Sequence, residues 1–187
     1  FTRLFNLLGL PVSELSLMTT GLTAALATGT STDGSSSGGD SGAAPLMPQQ
    51  VSQLVWLGLS ASTAAALEPY VTILPVKTTL NLNTASAEAI SASMESLNIA
   101  SARQLVDRRS RAFFKDIAAA NAALPSGSAP FNAAQHGVGT QFFEVYGKLR
   151  LDRTYVEERS LLQRSGVTVT TIWRTRGAGA TNSPVKP

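Results

Sequence analysis

The segment Leu80-Asn81-Leu82-Asn83-Thr84-Ala85-Ser86-Ala87-Glu88 decides how this chain folds. Leu80 and Leu82 alternate with Asn81 and Asn83, so the apolar pair can enter a core while the amides tie a turn. Asn81, Asn83 and Thr84 carry oxygens able to accept from the free N–H groups at a helix start. Thr84 is the expected N-cap of a helix over 84–97, with Ala87, Ile90, Met94 and Leu97 on one face. The strict capping box is absent, because Ala87 stands where Glu would be needed. Glu88 still falls in the first turn, where a negative charge meets the helix dipole favourably. Asn81, Asn83, Thr84 and Glu88 thus read as a structural helix cap, and a well-capped helix explains them without any ligand.

Short helical stretches surround this segment. Phe1–Leu10 has Phe1, Leu4, Phe5, Leu7 and Leu8 on a helical period and stops at Gly9 and Pro11. A weaker stretch covers Ser13–Ala27. Thr28–Gly42 is nearly all Gly, Ser, Thr and Asp, a flexible loop extending to residue 47. Its Asp33 and Asp40 lack the spacing and distal Glu of a calcium loop. Further helices are expected over Pro48–Leu57, Ser62–Leu67, Ser101–Arg109 and Phe114–Leu124. Leu57-Gly58-Leu59 and Leu97-Asn98-Ile99 form a weak internal repeat. Gly58 and Asn98 are the residue types that most readily turn left-handed at a helix C-terminus.

After residue 140 the period changes to two. Gln141–Leu151 puts Phe143, Val145, Leu149 and Leu151 on one face, and Val167–Arg176 does so with Val167, Val169, Thr171 and Trp173. With Thr154–Gln163 between short turns at Asp152-Arg153 and Ser165-Gly166, this is a three-stranded antiparallel meander. Such a sheet is not stable alone, so a helix or the helical module must cover its apolar face. The fold class is α+β. It comprises a helical head over 1–124, a linker over 125–140, the sheet over 141–176 and a disordered tail over 177–187. The head is built of short hairpins, SAM-like or helix-hairpin-helix-like.

At 187 residues the chain can bury roughly 70% of its unfolded surface without a staple. It has no Cys, which excludes thiol catalysis and thiolate metal sites. Its net charge of +3 is split, about −4 over residues 1–100 and +7 over 101–187. No run of 18 apolar residues spans a membrane, and any anchor would precede Phe1. His136 is the one histidine, and as part of Gln135-His136-Gly137 it reads as a surface-loop residue. There is no nucleophile elbow, P-loop or dinucleotide fingerprint. Glu157 and Glu158 are adjacent on a strand and point to opposite faces, so they do not converge, and one of them is expected to pair across the meander with a residue such as Arg150 or Arg174. The chain reads as no enzyme and as needing no cofactor.

Asn-x-Asn-Thr-Ala before two short helices also resembles the start of a helix-hairpin-helix DNA-binding module, with Arg108, Arg109, Arg111 and Lys115 supplying charge. The hairpin Leu97-Asn98-Ile99-Ala100 lacks the glycines that let a phosphate approach backbone N–H groups. Nucleic-acid binding is therefore the alternative reading.

The order of parts resembles another family more fully. Leu74-Pro75 to Ile90, the helix pair Pro48–Tyr70 before it, and the run Gln141-Phe142-Phe143 … Leu161-Leu162-Gln163-Arg164 … Trp173-Arg174 are similar to the K-type minor pseudopilin of the bacterial type II secretion system. The resemblance covers roughly residues 48–176. It implies a pilin fold with a large helical insertion, anchored in the inner membrane by an N-terminal helix absent from this chain. It implies a periplasmic soluble part at the tip of the pseudopilus. The implied partners are the I- and J-type minor pseudopilins, with the H-type a further candidate. The family often carries an acidic, calcium-binding stretch. Here Thr28–Gly42 takes its place and is poor in acids, so no calcium ligand carries over.

Overall fold

A computed structural model describes residues 1–29, 45–151 and 154–180. The expected loop with Asp33 and Asp40, the Asp152-Arg153 turn and the tail beyond residue 180 lie outside the described residues, although α2 already runs through Gly29. The chain divides into two units, Phe1–Val138 and Gly139–Pro187.

The first unit holds two apolar cores. In the first are α1 (Thr2–Leu8), α2 (Val12–Gly29), a 3₁₀ segment (Val51–Leu57) and α3 (Ala61–Leu67). Phe5 and Leu67 are completely buried there. Gly9 closes α1 at φ +66° and Gly58 closes the 3₁₀ segment at φ +96°, as glycine permits. The segment expected as an α-helix over Pro48–Leu57 is 3₁₀ because its buried residues, Val51, Leu54 and Leu57, are three apart, and three residues make one 3₁₀ turn. α2 crosses this segment at Gly21, where a Cβ would lie 3.1 Å from the Leu57 backbone. Glu14 of α2 accepts the Ser60 N–H at 2.9 Å and its hydroxyl at 3.1 Å, while Ser60 caps α3 by accepting from Thr63 N–H. The Ser60 backbone N–H, the largest cause, holds the Glu14 carboxyl below its ordinary pKa.

β1 (Leu80–Asn81), α4 (Ala87–Ser93), α5 (Ile99–Arg111), α6 (Ile117–Asn121) and β2 (His136–Gly137) surround the second core. Leu82, Ile90, Leu97, Ala102, Leu105 and Ala120 are essentially buried, joined by Phe114 and Phe131. The expected helix over 84–97 is shorter, and the one over 101–109 longer, because Asn98 is extended and accepts the Ser101 N–H as N-cap of α5. Asn98 therefore does not repeat the left-handed role of Gly58. Nor is 125–140 a plain linker, since Phe131 and His136 are buried and β2 pairs in parallel with β1.

The second unit is an antiparallel sheet of order β3-β4-β5, formed by β3 (Phe142–Leu151), β4 (Thr154–Ser165) and β5 (Thr168–Ala180). β5 continues four residues past the expected end at 176. Gly166, at φ +60°, begins the two-residue connection Gly166-Val167 from β4 to β5. Val167 thus sits in the turn and is fully exposed. A bulge opposite Leu161/Leu162 pairs Leu162 with Thr171 but Leu161 with Trp173. The added residue turns Trp173 onto the face opposite Val169 and Thr171. Together these faces give an α+β chain.

Candidate functional site

The polar residues of the opening segment form an interlocked turn. Asn81 Oδ1 accepts the Asn83 N–H at 3.0 Å, and the Asn81 carbonyl accepts from Thr84 at 3.1 Å and Ala85 at 2.8 Å. That turn takes up the residues expected to begin the helix. α4 consequently starts later, with Ser86, not Thr84, as its N-cap, accepting from Ala89 N–H at 3.1 Å. Thr84 is exposed. Glu88 keeps its expected place in the first turn of α4.

Asn83 faces inward. Its Nδ2 donates to the carbonyls of Phe114 and Val138, each at 2.9 Å, and its Oδ1 accepts from Phe114 N–H at 2.8 Å. One amide therefore ties the turn before α4 to the segment after α5 and to the strand end at Val138. Alongside it, Leu80 N–H donates to Gln135 and Leu82 N–H to Gly137, both at 2.8 Å. Gly137 packs closely here, since a Cβ would come 2.5 Å from Thr79 Oγ1 and force that side chain to move. Arg109 closes the arrangement from α5, with Nη1 donating to the Leu82 carbonyl at 2.6 Å. Burial lowers its pKa, but a guanidinium remains charged.

Arg109 is thus turned onto the protein's own backbone, leaving the basic stretch 103–115 without one of the cations named for phosphate binding. Asn98 uses its side chain on Ser101 N–H and brings no exposed N–H nest. Sequence reasoning placed Asn83 at a seam but missed Arg109, Ser86 and His136. Ser86 was legible as the last Ser before Ala87–Ser93. The Arg109 contact spans 27 residues and leaves no local signal.

His136, expected on the surface, is 2% exposed. Its Nε2 lies 3.0 Å from Ser93 Oγ. This Ser–His pair lacks the features of a nucleophile and base. The Ser93 hydroxyl donates to Ile90 O at 2.7 Å, and no carboxylate orients the ring. Among the described residues, no three His, Asp or Glu side chains converge where a metal ion would bind. Over the sheet, Lys148 meets Glu157 at 2.7 Å and Arg159 meets Glu144 at 2.6 Å. Glu158 is shared by Arg174 at 3.1 Å and Arg176 at 2.6 Å. These charges are engaged with one another. Arg174, one of the two arginines expected to meet the Glu157-Glu158 step, is among them.

The sheet face that carries Glu158, Arg174 and Arg176 also carries exposed apolar side chains. Val145, Leu149, Leu151 and Val169 are 47, 74, 76 and 57% exposed. Exposed apolar side chains gathered in this way are a common feature of contact surfaces.

Polar side chains thus lock the second core, and exposed apolar side chains stand on the sheet. Residues 80–140 match the family model of type II secretion system (T2SS), protein K. The match supports the K-type minor pseudopilin recognised from the order of motifs, and with it a structural part in type II secretion. It coincides with the second core, from β1 through β2. No curated protein matches the chain.

Proposed function

We propose that this chain is a non-enzymatic subunit at the tip of the type II secretion pseudopilus, binding the I- and J-type minor pseudopilins and helping to start assembly. The head, read as hairpins of the SAM-like or helix-hairpin-helix-like kind, is the bulky part that keeps further subunits from stacking above it. The sheet is the pilin-type part. Its work is positional and needs no cofactor. On this reading the soluble part is periplasmic, tethered to the inner membrane by an N-terminal helix outside this chain. No helix among the described residues is long and apolar enough to cross a membrane.

The observation that carries the reading is a family-matching core locked by its own polar groups, in a chain whose sheet bears exposed apolar side chains. Pull-down with the soluble parts of I- and J-type pseudopilins tests it. A stoichiometric complex is expected, weakened by Leu149→Glu with Leu151→Glu, which replace exposed side chains and leave both cores intact. A monodisperse monomer that binds neither partner would sink the proposal.

A further inference from the structure

The chain has one histidine, and the fold buries it at a junction. His136 is paired with Leu80 in the β1–β2 bridge. Its ring is held by polar groups on both nitrogens. Asn132 N–H donates to Nδ1 at 3.2 Å, and Nε2 lies 3.0 Å from Ser93 Oγ at the end of α4. Phe131 meets the ring edge-on, with centroids 5.0 Å apart.

The hydrogen bonds run in one direction. Asn132 N–H donates to Nδ1 and the Ser93 hydroxyl donates to Ile90 O, which leaves Nε2 as the donor to Ser93 Oγ. The neutral imidazole with its proton on Nε2 satisfies all three. A second proton would sit on Nδ1, facing the Asn132 N–H. The Asn132 carbonyl is 3.1 Å from Nδ1, but it already accepts from the amides of Gln135 and His136.

Among the described residues, no carboxylate is hydrogen-bonded to the ring. On α4 the one charged residue is Glu88, five positions before Ser93 and so about 140° around the helix from it. β1 and residues 131–138 carry no other titratable group, and Lys77 is the nearest charge before β1 in sequence. Burial is the main influence on the ring and lowers its pKa from the ordinary value, partly opposed by the Asn132 backbone.

We propose that His136 is an acid-sensitive latch, whose protonation releases residues 131–138 from α4 and β1 and loosens the second core. The sign follows from linkage. The unfolded chain takes up its imidazole proton near the ordinary value, about 6.5, and the folded chain only at lower pH. Between the two values the unfolded state binds more protons. Stability is therefore full above about 6.5 and falls as the pH drops through the window toward the folded-state value.

A single histidine gives one imidazole Cε1–H resonance, so a pH titration of the unaltered protein by NMR reports this ring alone. Amide exchange over the same range reads the latch. The ring transition should lie below about 6.5. Protection of the Leu80 and Leu82 amides should fall by up to about tenfold per pH unit inside the window, while that of Leu59, in the first core, holds. His136→Gln should remove the acid response of Leu80 and Leu82. A ring that titrates at or above the ordinary value would overturn the latch. So would protection of Leu80 and Leu82 that stays constant through the ring transition, or a His136→Gln protein with the full acid response.

Discussion

Asn83 and Phe114 exchange two hydrogen bonds. The amide Nδ2 donates to the Phe114 carbonyl at 2.9 Å, and the Phe114 N–H returns a bond to Oδ1 at 2.8 Å. A side-chain amide here imitates a neighbouring strand. Replacing it with Ala leaves both Phe114 backbone groups and the Val138 carbonyl without this partner. Asn83→Ala should lose about 2–3 kcal/mol in urea unfolding. Asn83→Asp should be worse at neutral pH, because a carboxylate oxygen then faces two carbonyls, and should partly recover as acid protonates it.

Arg109 donates to Leu82 O at 2.6 Å, whereas Arg108 is exposed. Arg109→Met keeps the apolar stem but strips the donor, and should lose about 1–3 kcal/mol. Arg108→Met should stay within about 0.5 kcal/mol of the parent. Equal losses in thermal melting would contradict an inward role for Arg109.

Ser86 caps α4 and Thr84 does not. Ser86→Ala should therefore lose about 1 kcal/mol. Thr84→Ala should change stability by less than about 0.5 kcal/mol. Chemical denaturation of the two variants side by side distinguishes the observed cap from the one expected from the motif.

Gly137 lies against Thr79, with 2.5 Å between a built Cβ and Thr79 Oγ1. Gly137→Ala should destabilise by about 1–3 kcal/mol through overpacking. Adding Thr79→Ala should restore most of that loss. A double-mutant cycle with no coupling would show that the contact is relieved by some other movement.

Much of the fold was legible because its signals are local. The left-handed Gly58, the helix beginning near Ser62 and the three-stranded meander all follow from neighbouring residues. Where distant residues intervene, the reading fails in identifiable ways. Asn98 has the residue type for a left-handed turn, yet the next helix recruits its side chain as a cap. Trp173 fits a period of two until a bulge adds one residue and reverses its face. His136 looks like a loop residue because Phe131 and Ser93, which cover and hold it, are not part of any local pattern. At the site, Asn83 was marked by its alternation with leucine, but its partners stand 31 and 55 residues away.

The parallel bridge from Leu80 to His136 brings the two ends of the family-matching block side by side. Closing a loop of this size costs about 3.5 kcal/mol of chain entropy beyond the constant term. The bridge thus carries a chain-entropy cost that the local helices α4 and α5 do not. It also makes the block a cassette, which the chain enters and leaves at nearly the same point.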